Sequence, residues 1–129
     1  MVAVDTNVVV RLLTGDHPGQ AAAARLVFES GPVWIAKTVL LESRWVLERL
    51  YGFPERKIHE AFRSLLGLRG VSCEDSAAVE RALALSSAGI DFADALHFTS
   101  RPIEAAFVSF DRKLVKRAVR AGIEAVIST

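Results

Sequence analysis

Short apolar runs rich in β-branched residues alternate with longer stretches whose apolar positions recur at helical spacing, and Gly or Pro stands at most of the joints. Val2-Ala3-Val4 reads as a strand ending at Asp5, and residues 8–13 as one or two buried helical turns that Thr14-Gly15-Asp16-His17-Pro18 brings to a stop. A helix is predicted over 18–28, because Pro suits a first turn and Ala21 to Ala24 favour helix, with Gly31-Pro32 closing it. Val33-Trp34-Ile35 is the next strand. Residues 38–51 stop at Gly52 and residues 54–66 at Gly67, which predicts a helical hairpin. Val71-Ser72-Cys73 is a third strand, Asp75 a cap for a helix reaching Ser87, and a second capped helix opens near Asp91 after Gly89. Residues 105–108 make a strand, Asp111 starts a helix ending at Gly122, and residues 124–127 supply the last strand. No hairpin signal joins neighbouring strands, so the order predicts an α/β fold with a central, mainly parallel sheet and helices on both faces. There is no internal repeat, low-complexity tract or linker.

A length of 129 residues predicts a single domain spanning 1–129. With 51% hydrophobic and 24% charged residues the composition is globular, not that of a disordered chain. The net charge of +1 predicts no polyanionic partner by itself, so only clustered charge could. Cys73 stands alone, which excludes an internal disulfide and a cysteine zinc cluster and suits a reducing cytoplasm. The start MVAVDTN has no basic lead, and Asp5 and Asn7 interrupt what a secretory signal would keep apolar. No apolar run is long enough to span a membrane, so the expectation is a cytoplasmic protein without a membrane partner.

Three acids stand where a strand or its following loop gives way to a helix: Asp5, Asp94 and Asp111. In parallel sheets such positions gather at the carboxyl ends of strands, where these folds bind ligands. Glu42 is the fourth, placed by helical geometry within about 60° of Val39, Trp45 and Val46, on a face expected to turn inward. Any one of the aspartates alone is more simply a helix cap, and Glu42 could pair with a buried Arg. As a set they imply more, because two unit charges about 4 Å apart repel by about 4 kcal/mol at an effective dielectric of 20 unless protonated or holding a cation. Oxygen donors without Cys or convergent His suit the hard cations Mg²⁺ or Mn²⁺.

The ordered motifs Val-Asp5-Thr6-Asn7, Glu42 on the first long helix after the second strand, Asp91-Phe-Ala-Asp94-Ala-Leu and Val-Ser109-Phe-Asp111-Arg-Lys-Leu resemble those of PIN domains. Within that superfamily the chain is similar to the VapC-type toxins of prokaryotic toxin–antitoxin pairs, along its whole length. The resemblance implies a three-layer α/β/α sandwich and a Mg²⁺- or Mn²⁺-dependent ribonuclease whose acidic quartet is Asp5, Glu42, Asp94 and Asp111. It also implies a further acid at Asp91, polar support from Thr6, Asn7 and Ser109, an RNA substrate, a homodimer and a cognate antitoxin lying across the active-site groove. The chemistry stands without the family name: a phosphodiester is anionic, and divalent ions neutralise it, acidify water and stabilise the leaving oxygen. Asp5 is the expected central ligand, with Asp94 and Asp111 completing the set and Glu42 either ligating or orienting the attacking water.

From Arg112 to Arg120 five of nine residues are basic, and Arg112, Lys113, Lys116, Arg117 and Arg120 fall within about 140° of helical arc. An amphipathic helix explains this, and so does an RNA-contacting face beside Asp111. Arg11 could balance a nearby carboxylate. His17, His59 and His97 lack ligand spacing, Trp34 and Trp45 are expected in the core, Cys73 as a buried apolar residue, and no Gly-rich phosphate loop is present. The competing functions are a phosphotransfer hydrolase with Asp5 as nucleophile, a receiver-type signalling module, and a catalytically inactive RNA-binding PIN domain. The first wants a second Asp at position 7, where Asn stands, and the second wants its acids early and mid-chain.

Overall fold

The computed structural model describes residues 1–124 and 126–128. Among them, five strands and seven helices run in the order β1 (Val2–Ala3), α1 (Thr6–Thr14), α2 (Pro18–Glu29), β2 (Val33–Ile35), α3 (Lys37–Arg49), α4 (Glu55–Leu66), β3 (Val71–Cys73), α5 (Ser76–Ser87), α6 (Phe92–Ser100), β4 (Phe107–Ser109), α7 (Arg112–Arg120) and β5 (Val126–Ser128). They divide into two compact units, Met1–Ser76 and Ala77–Thr129. Among the described residues every strand pairing is parallel, in one three-stranded and one two-stranded sheet, so the α/β class with parallel strands is what the chain adopts.

In the first unit β2 lies between β1 and β3, with Val33 paired to both Val2 and Val71. Val33 and Ile35 have no exposed surface while Trp34 between them is half-buried, the period of two expected of a strand with one covered face. α1 packs on α2 and α3 through Val9 and Val10. Ile58, Phe62 and Leu65 form the buried stripe of α4, and a fully covered Phe contributes about 2–3 kcal/mol relative to an exposed one. Gly15 ends α1 at φ 65°, a left-handed conformation that costs Gly nothing, and donates to the Arg11 carbonyl at 3.0 Å.

In the second unit β4 pairs with β5, Phe107 opposite Val126. Phe98 of α6 meets the ring of Phe107 at 4.3 Å between centroids, and Leu114 and Ala118 form the covered stripe of α7.

Several expectations shift. β4 begins at Phe107 rather than 105, because the Ala105 amide donates to the Pro102 carbonyl at 3.0 Å in a turn. The last strand is Val126–Ser128, and Ala125, within the strand expected at 124–127, lies outside the described residues. Trp45 is not in the core: it is 54% exposed, while Trp34 and Cys73 are half-buried. Among the described residues, no helix is long and apolar enough to cross a membrane.

Candidate active site

Three of the aspartates sit at helix starts, and each divides its carboxylate between the backbone and its surroundings. Asp5 caps α1 from an extended backbone, φ −95°, its Oδ1 accepting from the Val8 amide at 3.2 Å. Asp91 caps α6, accepting from the Asp94 amide at 3.2 Å. Asp111 caps α7, its Oδ1 accepting from the Leu114 amide at 3.1 Å. A short polar side chain before each helix satisfies an orphan amide, and the helix dipole favours its negative charge. In every case the second carboxylate oxygen remains for other work.

In the first unit Thr6, the residue after Asp5, donates its hydroxyl to Glu42 Oε1 on α3. The end of β1 and the second turn of α3 are thereby joined, and Asp5 and Glu42 belong to one polar cluster through Thr6. The inward turn expected of Glu42 is corrected. Leu40, Ser43 and Leu47 form the buried stripe of α3, and Glu42 is exposed together with Trp45. Apolar residue types predicted the wrong arc because a serine occupies the centre of the covered one. Asn7 is exposed on α1.

In the second unit Asp94 is half-buried in the first turn of α6. Burial first, then the negative charges of Asp91 and Asp111, holds its carboxyl above the usual carboxylate range, with His97 on the same helix pulling the other way. Ser109 Oγ accepts from the Asp111 amide at 3.0 Å and shapes the turn from β4 into α7. Within this unit Asp91 and Asp111 thus act on Asp94 by charge, and Ser109 joins them through the Asp111 backbone. Taken by itself, neither unit brings three His, Cys, Asp or Glu side chains to one ion-sized point among the described residues. Arg112, Lys113, Lys116, Arg117 and Arg120 are all exposed on α7, and none is ion-paired among the described residues.

Beside Asp5, a polar network that no sequence pattern signals joins α1, α2 and the end of α3. Arg11 donates to Gln20 Oε1 at 2.7 Å, to Asp16 at 3.1 Å and to the Tyr51 hydroxyl at 2.9 Å, while Tyr51 and Thr14 donate to Asp16 at 2.7 and 2.8 Å. Arg11 is thus committed to Asp16 and not to the acids of the motif. Arg11 and Tyr51 are 40 residues apart, a separation no local pattern links. His17, without ligand spacing in the sequence, caps α2 by accepting from the Gln20 amide at 3.1 Å.

No curated protein matches the chain. The sequence profile of the PIN domain family matches residues 2–120, a span that contains every acid of the motif set. With α/β elements paired in parallel and carboxylates at the strand-to-helix turns, the chain belongs to the PIN domain family.

Proposed function

We propose that this chain is a Mg²⁺- or Mn²⁺-dependent endoribonuclease and the toxin half of a type II toxin–antitoxin pair, with Asp5, Glu42, Asp94 and Asp111 holding the metal and Asp91 assisting. PIN domains are generally nucleases that use divalent ions, and the family match across residues 2–120 carries the reading. The donor set suits the ion: it is all oxygen, as hard divalent cations require. It is also short of positive charge, since burial and two neighbouring acids already disfavour ionised Asp94.

When bound, the ion would neutralise the phosphodiester and acidify water. The chain's own residues do the placing. Asp5 and Asp111 are fixed by their caps with one oxygen each left over. Glu42, held through Oε1 by Thr6, keeps Oε2 to orient the attacking water and take its proton. Ser109 holds the turn that presents Asp111. Asn7 supplies a neutral amide to waters or ligands, and the α7 cations attract the RNA backbone.

The same reading includes a homodimer and a cognate antitoxin protein covering the groove, as the resemblance to VapC-type toxins implies. The deciding experiment is RNA cleavage by the purified chain with Mg²⁺ or Mn²⁺ and with excess EDTA. Cleavage should require the ion and disappear in Asp5→Asn and Asp94→Asn. RNA binding without cleavage under every metal would instead indicate an inactive RNA-binding domain, and undiminished cleavage in EDTA would overturn the metal assignment.

A further inference from the structure

Between α1 and α2 lies a pocket of about 290 Å³, at the lower end of the roughly 300–1,000 Å³ typical of small-ligand sites. Its lining includes Asp5, so it adjoins the acid cluster of the first unit. Val8, Ala23 and Val27 give it apolar walls. Besides Asp5, its polar residues are Asn7, Arg11 and Gln20.

The state of those three groups selects the ligand. Arg11 is neutralised by Asp16 at 3.1 Å and further occupied by the Tyr51 hydroxyl. With Asp5 also in the wall, the pocket offers a phosphate no uncompensated cation and one repelling carboxylate. Arg11 can only donate, so the atom it meets at 2.7 Å is Gln20 Oε1, which leaves the two Nε2 hydrogens of Gln20 facing other partners. Among the described residues neither those hydrogens nor the Asn7 amide has a hydrogen-bond partner. The base of the Gln20 side chain is itself fixed, because its backbone amide donates to His17 Nδ1 at 3.1 Å. Apolar walls, carboxamide edges and no net attraction for anions suit an uncharged ligand that carries hydrogen-bond acceptors.

We infer that this pocket receives one nucleobase of the RNA, next to the phosphate on which the acids act, and that Gln20 reads it. The inference rests on the ribonuclease reading for the identity of the polymer. With its oxygen already accepting from Arg11, Gln20 turns its two Nε2 hydrogens to the ligand, and it favours a base edge that presents a carbonyl oxygen or ring nitrogen over one that presents an amine. Arg11, Asp16 and Tyr51 act as positioning residues that hold the Gln20 amide in this sense.

The test uses single-stranded RNA pentamers that differ only at the central base, bound to the full chain in Ca²⁺, together with the ¹⁵N resonances of the Gln20 side-chain amide. One base should bind about tenfold tighter than the others, the discrimination expected of a well-formed amide contact to a base edge, and the Gln20 amide should shift on binding. Gln20→Ala should bring the favoured RNA down to the affinity of the rest. Ala23→Leu, an exposed helical position where Leu is well tolerated, should do the same by filling the pocket. Equal affinity for all four bases, a preference unchanged in both variants, or a Gln20 amide that no RNA moves would each overturn the proposal, the last leaving the groove to a protein segment. A chain showing the expected base preference without cleavage in Mg²⁺ would keep the subsite and refute the nuclease, whereas a chain that binds no RNA refutes both.

Discussion

Thr6 donates its hydroxyl to the Glu42 carboxylate across 36 residues, a side-chain hydrogen bond that ties the third helix to the start of the first beside Asp5. The bond leaves Glu42 one free oxygen and removes much of its rotational freedom. Thr6→Val keeps the shape and deletes the donor. It should lower kcat by about tenfold with little change in KM and cost about 1.5 kcal/mol of stability, the low end of what one hydrogen bond to a charged group contributes. Thr6→Ser should restore most of both. Steady-state cleavage kinetics and thermal melts of the two variants check this, and equal loss in both would show that Thr6 acts through packing.

Asp94 is placed where its own charge is unwelcome. With its carboxyl raised by burial and by Asp91 and Asp111, the folded state binds a proton there more tightly than the unfolded chain does. Its contribution to stability is therefore best in acid and is lost as pH rises from the ordinary carboxylate value through the raised one. Asp94→Asn should melt no lower than the parent at neutral pH without metal, lose that pH dependence, and fail to cleave RNA. A lower metal-free melting temperature would mark Asp94 as an ion-pair or cap residue.

Asp16 shows the opposite sign. The Tyr51 hydroxyl first, then the Thr14 hydroxyl, hold its carboxyl below the usual value against an opposing burial effect, and Arg11 adds to the lowering. The stabilisation it gives is complete above about pH 4 and is lost as pH falls through the lowered value. Tyr51→Phe should shrink that acid-side loss. Melting temperatures of both proteins between about pH 5 and pH 2 should converge as Asp16 protonates, and parallel curves would refute the network's role.

The five exposed cations of α7 have a test of their own. If they meet RNA phosphates, Lys116→Gln with Arg117→Gln should flatten the salt dependence of affinity, log K changing by about 0.7 less per log unit of salt for each phosphate left unneutralised. Metal affinity should not move. Titrations at several salt concentrations with Ca²⁺ in place of Mg²⁺ supply the slope, and an unchanged slope would return the face to simple solvation.

Where structure follows from short-range chemistry, the chain could be read directly. Val33–Ile35 and Val71–Cys73 lie at the expected positions: each is a short stretch opened by Val and set between turn residues, and the first adds Trp and Ile. The aspartates were legible for the same reason, each being a good cap just after a strand or its loop. Glu42 was picked out as a candidate but given the wrong surroundings, since residue type alone does not reveal that Ser43 is buried and Trp45 exposed. Ser43 Oγ has no hydrogen-bond partner among the described residues, and tertiary packing sets that cost against the covering of Leu40 and Leu47. The Arg11, Asp16 and Tyr51 network joins the loop after α1 to the end of α3, and such closure is decided by packing rather than by any periodicity.

The capping aspartates carry a consequence for how such a sequence diverges. Asparagine caps a helix as well as aspartate does, and a single-base codon change converts one into the other. At Asp5, Asp91 and Asp111 that change would keep the oxygen that the helix start uses while discarding the charge. Alanine would remove both. If the chain is the nuclease proposed above, lineages descended from it thus have a short route, silent at the helix starts, from cleaving a nucleic acid to merely holding one, and an Asp-to-Asn exchange at these three positions is the mark by which that route would be recognised.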